Sequence, residues 1–228
     1  MMDAYDYRRA LDWAVALGAP LLTRYGVNPP YTPAACRAAE FDPGKLLEET
    51  WGVTDIEGVR HLAERMWSGV HNPGFQHTRL LFSGMTLDQR RHYVDGVREH
   101  ERYGEWYAVH LYMDRLPPAG IAAWDLGQLA FYLRCARLEE YIGEEEEEIC
   151  LLHTAVRARF SYRSWPDYAI AYMAGRQFAA RDLSEEGSKI DAETLRVPLI
   201  GESSPWRELE WEIDLPEPPE LPWASEHP

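Results

Sequence analysis

Apolar positions recur every three or four residues along most of this chain, which is the spacing of amphipathic helices. Leu11, Val15, Leu21 and Leu22 share one side of a first helix predicted over residues 5–24. Residues 26–33 form a proline-rich break, and a second helical piece follows over 41–51. Trp51-Gly52-Val53 turns the chain. Thr54 with Glu57 then reads as a capping box opening a helix that buries Ile56, Val59, Ala63, Met66 and Val70. His71-Asn72-Pro73-Gly74 reads as the turn that ends this helix. Thr86 with Gln89 is a second capping box, and the long polar helix it starts is weakened at Gly96 and Gly104, where it is expected to break in two. Pro117-Pro118 closes this half of the chain.

The second half is more regular. Residues 121–138 are apolar nearly all round, as in a buried central helix. Gly143 followed by Glu144 to Glu148 places carboxylates at the positive end of another helix, and a solvated face that compensates the dipole explains the run better than a calcium loop. Its apolar stripe is Ile149, Leu152, Val156 and Phe160, with His153 inside it. Ser164 caps the next helix, with Pro166 and Asp167 in the first turn; its stripe is Trp165, Tyr168, Ala169, Tyr172 and Met173, continued by Arg176. Beyond Ser184 the periodicity fades. Leu209, Trp211, Ile213 and Leu215 alternate with Glu208, Glu210, Glu212 and Asp214, which predicts one half-buried strand, and a proline-rich extended stretch follows.

The expected fold is therefore all-α, a single-domain bundle of six or seven helices with a short extended C-terminal segment. Residues 1–40 read as an N-terminal helical extension, 41–183 as the core, and 184–228 as an acidic proline-rich segment packed on it. At 228 residues the chain can bury a core without staples, and its nine tryptophans and thirteen tyrosines fill one. Cys36, Cys135 and Cys150 form no CxxC pair and read as reduced, buried thiols of a cytoplasmic protein.

A net charge of -15 argues against nucleic-acid binding and favours a protein partner with a basic surface. From Glu202 to Glu226 eight acidic residues face only Arg207, about -7 of that total. With Trp206, Trp211 and Trp223 as anchors, this stretch is suited to docking on a basic surface or to covering a groove on the chain's own helices. No apolar run is long enough for a membrane span. Arg8 and Arg9 precede the apolar residues 14–22 as in an export signal, but Asp3, Asp6, Asp12 and Pro20 favour an amphipathic first helix.

Candidate chemistry lies where polar residues interrupt apolar faces: Asp125, His153 and Arg176. Asp125, Gln128 and Tyr132 form a polar line on the central helix, flanked by Trp124. An arginine on a core-facing stripe must find a carboxylate, because a buried unpaired charge costs several kcal/mol, and Asp125 is the expected partner of Arg176. Functionally, Asp–His–Arg is an acid/base pair with an anion clamp; structurally, Trp124, Asp125, Gln128, Trp165 and Arg176 form an inter-helix network. The second reading leads, since no nucleophile is supplied. His61, His71, His77, His92, His100, His110 and His153 include no HxxxH or HExxH, so no metal site is expected. Without GxGxxG, a Walker-type loop or GxSxG, no cofactor is expected either.

Ala123-Trp124-Asp125-Leu126, Tyr141-Ile142 followed by acidic residues, Ser164-Trp165 and Gly175-Arg176 together resemble the bacterial domain-of-unknown-function family 1266. Trp51-Gly52-Val53 is similar to that family's Trp-Gly-Ile element, and the resemblance covers residues 46–180. Gln128 stands where the family commonly has arginine, and Arg137-Leu138 where an aromatic–glycine pair is usual. The resemblance implies an all-helical bacterial protein and brings no activity. A non-enzymatic cytoplasmic interaction or neutralising module is the leading expectation, and an enzyme using Asp125, His153 and Arg176 is the alternative.

Overall fold

A computed structural model describes residues 3–29 and 31–222. Among them the helices run in the order α1 (Ala4–Ala16), α2 (Ala19–Arg24), α3 (Pro33–Ala38), α4 (Pro43–Trp51), α5 (Ile56–Ser68), α6 (Asn72–Ser83), α7 (Leu87–Gly96), α8 (Tyr103–Tyr112), α9 (Ala122–Leu138), α10 (Glu144–Ser161), α11 (Trp165–Ala180), α12 (Glu185–Ile200) and α13 (Pro205–Glu208). The described residues contain no strand, so the chain is an all-α single domain. The helices outnumber the six or seven expected because α3, α6, α12 and α13 are additional, the first helix is split at Leu17 and Gly18, and the helix after Thr86 divides into α7 and α8.

α9 is the axle. It is buried on nearly every side and packs against α1, α2, α4, α5, α10 and α11. The capping box of Thr86 and Gln89 is present with both reciprocal hydrogen bonds, and Ser164 caps α11 by accepting from the Asp167 amide. α5 is capped by Asp55, not Thr54, and Ile56 and Val70 stand exposed at its two ends. His71-Asn72-Pro73 opens α6 as well as turning the chain, since proline is tolerated where a helix has no intrahelical donor to lose.

α10 presents a different face to the core from the one its large apolar residues suggest. Glu147, Cys150, Leu151, Thr154, Ala155 and Ala158 are buried, while Phe160 is 90% exposed. Small residues let α10 approach α9 closely; Leu152 on the other side packs with Ala10, Leu11, Ile213 and Leu215. The glutamate run is more than a solvated face. Glu146 accepts from Arg60 of α5 at 2.9 Å, and Glu148 from the Tyr7 hydroxyl of α1 at 3.0 Å. Glu147 meets Arg134 of α9 at 3.2 Å.

The predicted strand over 207–215 does not form. The α13 turn opens it, and an extended segment follows whose alternate burial, Trp211 in and Glu210 and Glu212 out, comes from lying along helices rather than from a sheet. Trp165 sits among three other indoles, with ring centroids 4.9 Å from Trp13, 5.0 Å from Trp206 and 4.8 Å from Trp211. Each indole N–H donates to a backbone carbonyl: Trp13 to Glu210, Trp165 to Leu209, Trp206 to Ala16 and Trp211 to Tyr162. This cluster binds the C-terminal segment to α1 and α11, so Trp206 and Trp211 cover the chain's own helices. Trp223 lies outside the described residues. The three cysteines are buried free thiols.

Candidate functional site

Asp125, in the first turn of α9, is buried and caps a different helix. Its Oδ2 accepts from the Asn72 amide at 3.0 Å, and both oxygens accept from the His71 amide at 3.2 Å. Oδ1 also lies 2.9 Å from His71 Nδ1, so the carboxylate takes the ring's N–H and holds the imidazole in place. α6 has no side-chain cap of its own; the carboxylate from α9 satisfies its free amides and its positive end. The service is returned, because Asn72 Oδ1 accepts from the Ile121 amide at 3.0 Å, at the start of α9. A small cavity of about 70 Å³ adjoins, lined by Ser68, Asn72, Asp125 and Arg157. Arg157 donates to the Trp67 carbonyl and lies over the Trp67 ring, 4.9 Å from its centroid.

Arg176 does find a carboxylate, but it is Asp191 of α12 rather than Asp125. Its Nη2 donates to Asp191 Oδ2 at 2.6 Å, and its Nε is ion-paired with Oδ1. Gln177 donates to the same Oδ2 at 3.0 Å and accepts from the Tyr112 hydroxyl at 2.8 Å, which ties α8, α11 and α12 together. Asp191 occupies the buried side of α12 with Gly187, Leu195 and Pro198. A carboxylate, a glycine and a proline on the inner face are why no apolar period marks this helix. The signals that remain are Ser184 as N-cap, accepting from the Gly187 amide, and acids in the first turn.

His153 joins neither group. It is half-buried on α10, with Nε2 2.6 Å from the Pro219 carbonyl and its ring edge-on to Trp67, so it receives the C-terminal segment. Gln128 is half-buried in the middle of α9, and its side chain makes no hydrogen bond among the described residues. The sequence-expected network of Trp124, Asp125, Gln128, Trp165 and Arg176 is thus distributed over three places, and Asp125, His153 and Arg176 do not converge. Sequence reasoning missed His71, Asn72 and Asp191 as the actual partners. Asn72-Pro73 was the available clue, as a helix start whose amides required a cap from elsewhere.

A second buried pair, Arg134 with Glu147, lies between α9 and α10. Burial pushes the Glu147 carboxyl up to about 7, against the pull of Arg134 and Arg137. Burial likewise pushes the neighbouring Cys150 thiol up to about 12, so it is no ready nucleophile. Among the described residues no group of three or more His, Cys, Asp or Glu stands together as for a metal ion.

An open groove of about 670 Å³ lies between α11 and α12. Ala169, Ile170, Met173, Leu195, Leu199 and Ile200 form its apolar floor, and Lys189, Glu193 and Arg196 its rim. Ile170 and Ile200 are 42% and 64% exposed, unusual for isoleucines facing a formed groove. Met173 and Leu195 also line a much smaller cleft beside Trp124, Tyr172, Arg176 and Asp191.

No solved structure matches the chain. The uncharacterized protein YbeR of Escherichia coli (strain K12) is 27% identical over 137 residues, covering 58% of this chain and 56% of YbeR. The chain thus spans little more than half the length of this curated relative. The family profile described as "Protein of unknown function (DUF1266)" matches residues 46–211, which take in the axle helix, the reciprocal caps of α6 and α9, and Trp165, Trp206 and Trp211 of the tryptophan cluster. By that match across most of its length, the chain belongs to the DUF1266 family.

Proposed function

We propose that this protein is a non-enzymatic interaction module that holds an apolar segment of a basic protein in the groove between α11 and α12. The observation that carries the reading is the groove itself: a formed, apolar surface with exposed isoleucines, on a molecule whose Asp125 and Arg176 are occupied in joining helices. Charge supports the choice of occupant. Lys189 is paired with Glu185 and Arg196 with Glu193 on the same helix, so the rim offers no surplus positive charge. Glu208, Glu210, Glu212, Asp214, Glu217 and Glu220 are all exposed along the C-terminal segment, within a net charge of -15. Such a field steers basic partners and loses its reach in salt.

The test is capture from the cells that make the protein, followed by binding between the purified components. The expected partner is basic, binds more weakly as salt rises, and is lost with Ile170→Glu. A captured partner that binds wild type and Ile170→Glu equally well would overturn the reading.

One observation favours a second reading, an acid–base enzyme. Asp125 orients an imidazole after all, that of His71, beside a cavity that Ser68 and Arg157 line. An activity that survives Asp125→Asn but is abolished by His71→Ala, or the reverse, would not fit this dyad; both variants must lower it.

A further inference from the structure

The small cleft next to the groove is lined by two residues whose hydrogen-bond donors find no acceptor among the described residues. Trp124 Nε1 and the Tyr172 hydroxyl are both buried without a partner among the described residues, and Tyr172 as a whole is only 2% exposed. Leaving two such groups unmet costs free energy that a well-packed core normally avoids. Their rings meet edge to face with centroids 5.1 Å apart, and both residues line the cleft. Arg24 and Arg176 also line it. Burial raises the Tyr172 hydroxyl's pKa, while Arg24 and Arg176 draw it down and Asp191 adds to the rise.

The charges do not cancel. Arg176 is spent on Asp191, whose oxygens are covered by Arg176 and Gln177. Arg24, an exposed residue that also lines the cleft, has no ion pair among the described residues, so its guanidinium is free to meet an anion there. The cleft's volume is about 10 Å³, room for a group about the size of one water. Two neutral donors, one guanidinium and a space of that size fit one oxygen of a carboxylate.

We infer that this cleft is a carboxylate-binding subsite formed by Arg24, Trp124 and Tyr172, positioned to take a carboxylate carried by the segment that lies in the groove. The link to the groove rests on the function proposed above; the carboxylate site itself does not. Met173 and Leu195 line both concavities, so an occupant with an apolar body on α11 and α12 brings a terminal or side-chain carboxylate to the donors. Hydrogen bonds to a charged acceptor are the strong kind, and here they replace no existing protein partner.

Acetate is the probe, and the Trp124 indole N–H resonance, assigned with Trp124→Phe, is the readout. Acetate is expected to shift that resonance saturably in the wild-type protein, and neutral acetamide to leave it unmoved. Arg24→Gln and Tyr172→Phe are each expected to weaken acetate binding by about tenfold or more. Tyr172→Phe removes only an unpartnered oxygen, so its thermal melt should match or exceed that of wild type, which separates loss of the site from loss of the fold. Ile170→Glu, in the groove, should bind acetate as wild type does. If Ile170→Glu abolishes partner binding while acetate still binds, both readings stand; if acetate binds but partner binding ignores Ile170→Glu, only the groove reading falls. No saturable shift, an equal response to acetamide, or unchanged affinity in Arg24→Gln and Tyr172→Phe would overturn the subsite and leave the cleft as the seat of an ordered water.

Discussion

Gly175 of α11 lies directly against the side chain of Trp124 on α9: a Cβ built on the glycine would collide with the Trp124 Cβ. The arrangement is reciprocal, since a Cβ on Gly127 of α9 would stand 2.7 Å from the Tyr172 ring of α11. Each helix thus removes a side chain where the other inserts an aromatic ring. This gives Gly175 in the Gly175-Arg176 pair, and Trp124 in Ala123-Trp124-Asp125-Leu126, a shared physical purpose. Gly175→Ala overpacks the contact and is expected to cost about 1–3 kcal/mol. Urea denaturation measures it; a midpoint equal to that of wild type would mean the two helices separate freely.

Arg176 and Asp191 should behave as one unit. Removing the arginine leaves a carboxylate that is 3% exposed without its charge partner, so Arg176→Ala is expected to cost about 3–5 kcal/mol. A double-mutant cycle assigns the partner: strong coupling between positions 176 and 191, and none between 176 and 125, is the expected result.

Asp125→Ala strips the cap from α6 and the anchor from His71, for an expected loss of about 1–3 kcal/mol. The loss is local. Amide exchange should quicken at His71 and Asn72, whose N–H groups the carboxylate holds, before it changes at α10 or α11. Uniform acceleration throughout the chain would contradict the capping role.

Glu147 makes stability depend on pH. Burial raises its carboxyl from 4.5 to about 7, so the folded protein holds this proton more tightly than the unfolded chain does. Its contribution is fully present below pH 4.5 and is lost as the pH rises through about 7. Denaturation midpoints taken across that range should therefore include a falling component that Glu147→Gln removes. A slope that persists unchanged in the variant would place its source at another group.

Much was legible from the sequence alone because helices are local objects. Caps and their partners stand three residues apart, so Thr86 with Gln89 and Ser164 with Asp167 marked helix starts correctly, and all-round apolarity marked α9 as the central helix. The requirement that Arg176 have a carboxylate was also local chemistry. Which carboxylate it meets was decided only by the tertiary structure. Asp125 is already taken by the start of α6, and Asp191 arrives on a helix whose inner face carries an acid, a glycine and a proline, leaving no apolar period to read. The same distinction explains His153 and α10. Periodicity finds a stripe of large apolar residues, but the face turned to the core is the one whose small side chains allow the closest approach to α9, and that depends on the neighbour. A sequence therefore determines where its helices begin and which polar groups need partners. The partners are chosen by packing between segments distant in the chain, and helical spacing does not encode that choice.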